Sequence, residues 1–154
     1  MLLMKAYVIM VLSWGLCPLP VVMGQSITVL GNPTMAINTP ALYQNGATIT
    51  HTTLRVTVPR RFTWDLRLSA AGNLTSGVNT IPIGAMSVLV TNTDVTTYPI
   101  TLSTTQQLLC SDYVAKQSDR NSSLTIQYTL QGGNHLLKPA GSYATTLTFF
   151  LTVQ

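Results

Sequence analysis

Large apolar residues alternate with polar residues along most of this chain, which is the pattern of strands with one face against a core and the other toward water. The segment FTWDLRLSA (62–70) is the clearest case, because threonine, aspartate, arginine and serine separate its large residues. The alternation predicts a core strand whose inward residues are Phe62, Trp64, Leu66 and Leu68.

The same period of two recurs at both ends of the sequence and in its middle. TLRVTVP (53–59) places Leu54 on an inward face and Thr53 on a polar one, and SLTIQYTL (123–130) repeats the pattern. Turn sequences rich in glycine, asparagine and proline separate these runs. We therefore predict an all-β fold, an antiparallel immunoglobulin-like β-sandwich of about seven to eight strands. A short helical turn is expected only in LLCSDYVAKQSD (108–119).

Residues 1–24 have the features of a secretory signal peptide that is removed on export. One cation, Lys5, precedes an apolar run over residues 6–16, which Pro18 and Pro20 interrupt. The run is shorter than the roughly 20 apolar residues that span a bilayer, so no stable membrane insertion is expected. Cys17 leaves open the alternative of a lipid anchor. The expected location is extracellular or at the cell surface.

The remaining 130 residues suffice for one domain, with residues 25–38 as an N-terminal strand and 39–154 as the sandwich. Cys110 is then the single cysteine, expected to be a small buried hydrophobe in a domain without a disulfide. The four acidic residues are all aspartate, against seven basic residues once Lys5 is removed. The basic excess is too small and scattered to indicate nucleic-acid binding.

Candidate chemistry is sparse. His51 is expected on the polar face of a strand and His135 in a Gly/Asn turn, with no nucleophile motif near either. No cluster of histidine, cysteine and carboxylate residues has metal-ligand spacing. We expect a non-enzymatic protein without a cofactor or a metal.

The final residues, GSYATTLTFFLTVQ (141–154), form an alternating strand. They resemble the C-terminal signature of chaperone–usher pilins, which has alternating hydrophobic residues and a glycine fourteenth from the end. Val153 stands where that family has an aromatic residue, and Thr145 interrupts the row. The resemblance implies a terminal strand that is bound by a periplasmic chaperone and borders a groove left by a missing strand. The residues that carry it are Gly141, Tyr143, Leu147, Phe149, Leu151 and Val153.

In that family the groove is filled by the N-terminal extension of the next subunit. The segment ITVLGNPTMAI (27–37) alternates large residues around a glycine in the same way, although Pro33 cannot donate to a β-ladder. The predicted donor residues are Ile27, Val29, Gly31, Met35 and Ile37.

Two hypotheses follow. In the first, the chain is a non-enzymatic structural subunit of a bacterial surface fibre or coat that assembles by strand donation, and its expected partners are like subunits and a periplasmic chaperone. In the second, it is a secreted monomeric β-sandwich that binds carbohydrate or another surface ligand. The triplet Trp64-Asp65-Leu66 also resembles W-x-L cell-wall-binding domains, but residues 25–154 contain no second tryptophan to form another such triplet.

Overall fold

The chain is built mostly of β-strands. The computed structural model describes residues 2–3, 5–8, 24–114 and 120–154, with backbone alone for residues 2–3 and 5–8. In chain order the elements are β1 (Leu2–Leu3), β2 (Lys5–Val8), β3 (Ser26–Val29), β4 (Thr34–Met35), α1 (Pro40–Asn45), β5 (Gly46–Val58), β6 (Thr63–Ala70), β7 (Leu74–Ser76), β8 (Asn79–Ile81), β9 (Met86–Val90), β10 (Thr96–Thr97), β11 (Ile100–Thr101), β12 (Gln107–Tyr113), β13 (Arg120–Gln131) and β14 (Thr146–Val153).

Two five-stranded sheets enclose one hydrophobic core. Sheet I has the order β10-β12-β6-β14-β2, and sheet II has the order β11-β9-β13-β5-β3. Every pair in them is antiparallel except β14 with β2, which is parallel. The inward residues of both sheets belong to a single buried cluster. The prediction of an all-β, mainly antiparallel fold is confirmed.

Strand β6 is the centre of sheet I, between β12 and β14. Trp64, Leu66 and Leu68 are fully buried on its inward face. Phe62 is only half-buried, because it precedes the first residue of the strand and lies next to the turn at residues 60–61.

Strand β5 departs from strict alternation, and the expected faces of two residues change with it. Its pairing with β13 shifts register between Leu124 and Thr125, which leaves Thr53 as an extra residue on β5. Because a bulge reverses the alternation, Thr53 is fully buried instead of facing solvent. His51 likewise shares a face with Ile49, so the expectation that it lies on the polar face is wrong.

The helical turn expected in residues 108–119 is not present over Leu108–Tyr113, which belong to β12. A register shift between Leu108 and Cys110 buries both Leu109 and Cys110, so the run lacks the alternation of a regular strand. Residues 115–119 of that expectation lie outside the described residues, as does Cys17.

One short helix, α1, was not anticipated. Thr39 caps it by accepting a hydrogen bond from the Leu42 backbone N–H at 3.3 Å, and Pro40 occupies its first position. Both residues are favoured at a helix start. None of the helices in the described part of the chain is long and apolar enough to cross a membrane.

Candidate functional site

The candidate site is the edge of β14 that faces away from β6. Along β14 the inward residues Leu147 and Phe149 are fully buried, and the outward residues Thr146 and Thr148 are partly exposed. The strand carries no charged side chain. Its local alternation is therefore that of a strand whose inward face completes a core.

The two edges of β14 differ in what covers them. On one edge, residues Leu147–Val153 pair antiparallel with Ala70–Trp64 of β6. On the other edge, Thr146–Phe149 pair in parallel with Lys5–Val8 of β2. Within residues 24–114 and 120–154, no strand pairs with that second edge. Its strand partner comes from the segment that the sequence predicts to be removed on export.

Burial of the inward side chains follows this pairing. Leu147 and Phe149, which lie in the stretch that β2 covers, are fully buried. Leu151 and Val153 lie beyond that stretch and are only partly buried, although they pack against the same core. The inward side chains in the second half of β14 are thus less completely covered than those in the first half.

The N-terminal strands close the gap between the edges of the two sheets. Leu2 and Leu3 of β1 pair antiparallel with Met35 and Thr34 of β4, immediately before β2 reaches β14. β2 also runs in contact with β3, the edge strand of sheet II. A strand in this position therefore lies between the edge of sheet I and the segment 26–35.

The predicted donor residues lie on their own sandwich in this structure. Ile27 and Val29 are half-buried in β3 and pair with Val56 and Leu54 of β5. Gly31 lies against the imidazole of His51, where an added Cβ would approach the ring to 3.2 Å. Met35 is buried in the core. The donor segment and β14 are thus not paired with each other.

Ile37 is the donor candidate that meets the terminal segment. It lines a cavity of about 90 Å³ together with Gly141 and Tyr143. Tyr143 is buried, and its hydroxyl donates a hydrogen bond to the Pro139 carbonyl at 2.8 Å. A Cβ at Gly141 would lie 2.7 Å from the Ser76 hydroxyl, so the Ser76 side chain would have to move to admit one. The cavity lies where the chain approaches the start of β14.

A cluster of titratable side chains lies apart from β14, at the end of sheet I near Trp64. The Arg120 guanidinium donates to Asp112 at 2.5 Å and to Asp94, and lies 5.8 Å from the centre of the Trp64 ring. Burial raises the pKa of the neighbouring Cys110 thiol to about 12. A protonated, fully buried thiol is a poor nucleophile, so we assign this cluster a structural role.

The two histidines are held separately by local contacts. His51 Nδ1 lies 3.1 Å from the Thr53 hydroxyl, and His135 Nε2 lies 2.9 Å from the Gln131 carbonyl oxygen. Among the residues that the structure describes, no group of three or more His, Cys, Asp or Glu side chains could hold a metal ion.

No protein-family model and no curated protein sequence matches this chain.

The sequence pattern does not show which strand pairs with the edge of β14 that faces away from β6. The alternation of residues 141–154 was visible, but strand partners are set by contacts between distant parts of the chain. Residues 5–8 lie in the segment whose cation and apolar run predict a signal peptide, and that pattern does not indicate a pairing with β14.

Proposed function

We propose that this chain is a non-enzymatic structural subunit of a bacterial cell-surface fibre or coat, and that subunits join by strand addition at the open edge of β14. The observation that supports this most directly is the pairing of that edge with Lys5–Val8 and with no strand of the remaining described chain. Once residues 1–24 are removed, the edge presents unpaired backbone groups above a core that is short of apolar cover.

The proposed occupant is the segment 26–37 of a second copy. Strand addition satisfies edge N–H and C=O groups while alternate side chains enter the core, and each large apolar side chain buried contributes roughly 1.5–3 kcal/mol. Ile27 and Val29 are only half-buried where β3 pairs with β5, so both side chains can become more buried by transfer to the β14 edge of a second copy. A periplasmic chaperone that holds the edge before assembly belongs to the same proposal.

Strand donation requires β3 to separate from β5 of the same chain. β3 is four residues long and lies at the edge of sheet II, so it has strand pairing on one side alone. The backbone pairs lost on β5 are replaced by pairs on β14 of the neighbour, which makes the exchange nearly balanced in hydrogen bonds. This is the energetic basis of domain swapping, in which a small bias from side-chain burial decides the outcome.

The test is the behaviour of the exported chain on a denaturing gel without boiling. We expect a ladder of multimers that collapses to one band on boiling. Val29→Lys disables the donor and Leu151→Lys the acceptor, and each should remove the ladder. Val78→Lys is the matched control, because Val78 is 96% exposed in a turn.

Mixing the two disabled variants sharpens the test. A copy with Val29→Lys retains a working acceptor, and a copy with Leu151→Lys retains a working donor, so together they should form a dimer that extends no further. Circular dichroism establishes that each variant is folded. A monodisperse monomer of the processed parent chain, or a ladder that both lysine variants preserve, would contradict the proposal.

A further inference from the structure

The outer face of sheet II carries a grid of uncharged polar side chains. Three successive outward positions on β5 and three on β13 lie beside two on β9 and beside Thr91, the residue that follows β9. Eight of the nine residues are threonine, serine or glutamine. The rows are Thr48–Thr129–Ser87, Thr50–Gln127–Leu89 and Thr52–Thr125–Thr91.

Two rows of this hydroxyl grid are held in place by cross-strand hydrogen bonds. The hydroxyls of Thr48 and Thr129 lie 3.0 Å apart, and those of Thr52 and Thr125 lie 3.2 Å apart. The middle row differs, because the Gln127 amide makes no side-chain hydrogen bond within the described residues. The Gln127 side chain is partly exposed and lines the groove described next, so its amide is available to a ligand.

A shallow groove of about 150 Å³ lies beside Gln127. Leu89 and Pro99 give it an apolar wall, while Ser87, Gln127 and Thr129 give it hydroxyl and amide groups. No charged side chain lines it. The outer face of sheet I carries the Asp65–Arg67 ion pair at 3.7 Å, and the exposed Arg55 of β5 is not among the residues that line the groove.

We propose that this groove binds a neutral carbohydrate. A pyranose ring has an apolar C–H face, which suits Leu89 and Pro99, and a rim of hydroxyls, which suits a planar amide flanked by hydroxyls. An anionic glycan would need cationic partners, and the groove has none. The site is independent of strand addition, because β14 and β3 contribute nothing to it.

The experiment is an array of neutral and anionic oligosaccharides, probed with the full chain expressed with its own leader and recovered after export. We expect retention of neutral glycans that does not change with salt concentration, because no ion pair is formed. Gln127→Ala should weaken retention about tenfold, since one lost hydrogen bond of roughly 1.4 kcal/mol corresponds to that factor.

Ser69→Ala is the control, because Ser69 lies on the outer face of β6 in sheet I, outside both the groove and the proposed assembly edge. The control should bind as the parent does. Repeating the assay with the Leu151→Lys chain separates the two proposals, since glycan retention should persist without polymers. No retained neutral glycan, retention that Gln127→Ala leaves unchanged, or retention of anionic glycans alone overturns the inference. A change in oligomeric state with Gln127→Ala, without glycan binding, assigns the face to contacts between copies and overturns it too.

Discussion

The thiol of Cys110 links burial to the pH dependence of stability. Burial raises its pKa from 9.0 to about 12, so above pH 9 the unfolded chain loses a proton that the folded chain keeps. The contribution of this group is therefore fully present below pH 9 and is lost as the pH rises from 9 to 12. At pH 10 we expect the free energy of unfolding to fall by on the order of 1 kcal/mol from this group alone.

Urea unfolding of the parent and of Cys110→Ala at several pH values measures this effect. The stability advantage of the parent should shrink above pH 9, and native Cys110 should not react with a thiol reagent until the chain unfolds. Burial also raises the pKa of Tyr128, which acts in the same direction in both proteins and cancels in the difference. A constant difference across this range, or rapid labelling of the native thiol, would refute the prediction.

The buried hydroxyls of Tyr128 and Thr53 form a pair that can be removed singly or together. Their oxygens lie 2.9 Å apart, and both residues are fully buried. Thr53→Val leaves the buried Tyr128 hydroxyl without a partner, which costs about 1–3 kcal/mol. Tyr128→Phe should cost less, because the Thr53 hydroxyl keeps its contacts with the His51 carbonyl oxygen and Nδ1. The double variant removes both, so it should be destabilised by less than the sum of the two singles.

Denaturant unfolding of all four proteins gives the coupling energy. Thr129→Val is the surface control, because its hydroxyl pair with Thr48 is exposed and should contribute little. Additive effects of Tyr128→Phe and Thr53→Val would mean that the two hydroxyls do not depend on each other.

The junction between α1 and β5 depends on Gly46. Its φ of 80° favours glycine, and a Cβ there would lie 2.0 Å from the Leu130 carbonyl oxygen. Gly46→Ala should destabilise the fold by about 1–3 kcal/mol from backbone strain, with the clash adding to this. Gly72→Ala should be nearly neutral, because an added Cβ there meets nothing within 4 Å. Melting curves of the two variants test the contrast, and equal losses would refute it.

Elements with an unbroken period of two could be predicted from the sequence, and elements with a bulge could not. β6 alternates without interruption and β14 does so apart from the outward Phe150, so their inward residues follow directly from the pattern. In β5 and β12 the register shifts move Thr53 and Leu109 onto the core side, which a period of two cannot represent. The helix α1 has six residues, too few to show a helical period.

At the scale of the whole molecule, one part of the candidate site can be predicted from the sequence and another part cannot. The apolar face of β14 is a local property and was visible in the sequence. Which strand covers each of its edges is a non-local property that depends on both sheets closing around the core. The donor segment shows the same limit, since its alternation suits the edge of sheet II, where β3 lies, as well as the edge of β14.

Amide hydrogen exchange measures the open edge directly. In the processed, unassembled chain we expect amides of Thr146–Val153 that face away from β6 to exchange rapidly, because no strand protects them. Assembly should slow them strongly. β13 is the internal reference, since β5 and β9 pair with both of its edges and its amides are protected in either state.

A synthetic peptide of residues 25–37 should slow exchange in β14 and raise the melting temperature with its concentration, as expected for a ligand of the folded state. The same peptide with Val29→Lys should do neither. If β14 is as protected as β13 in the processed monomer, another part of the chain closes the edge and strand addition there is ruled out.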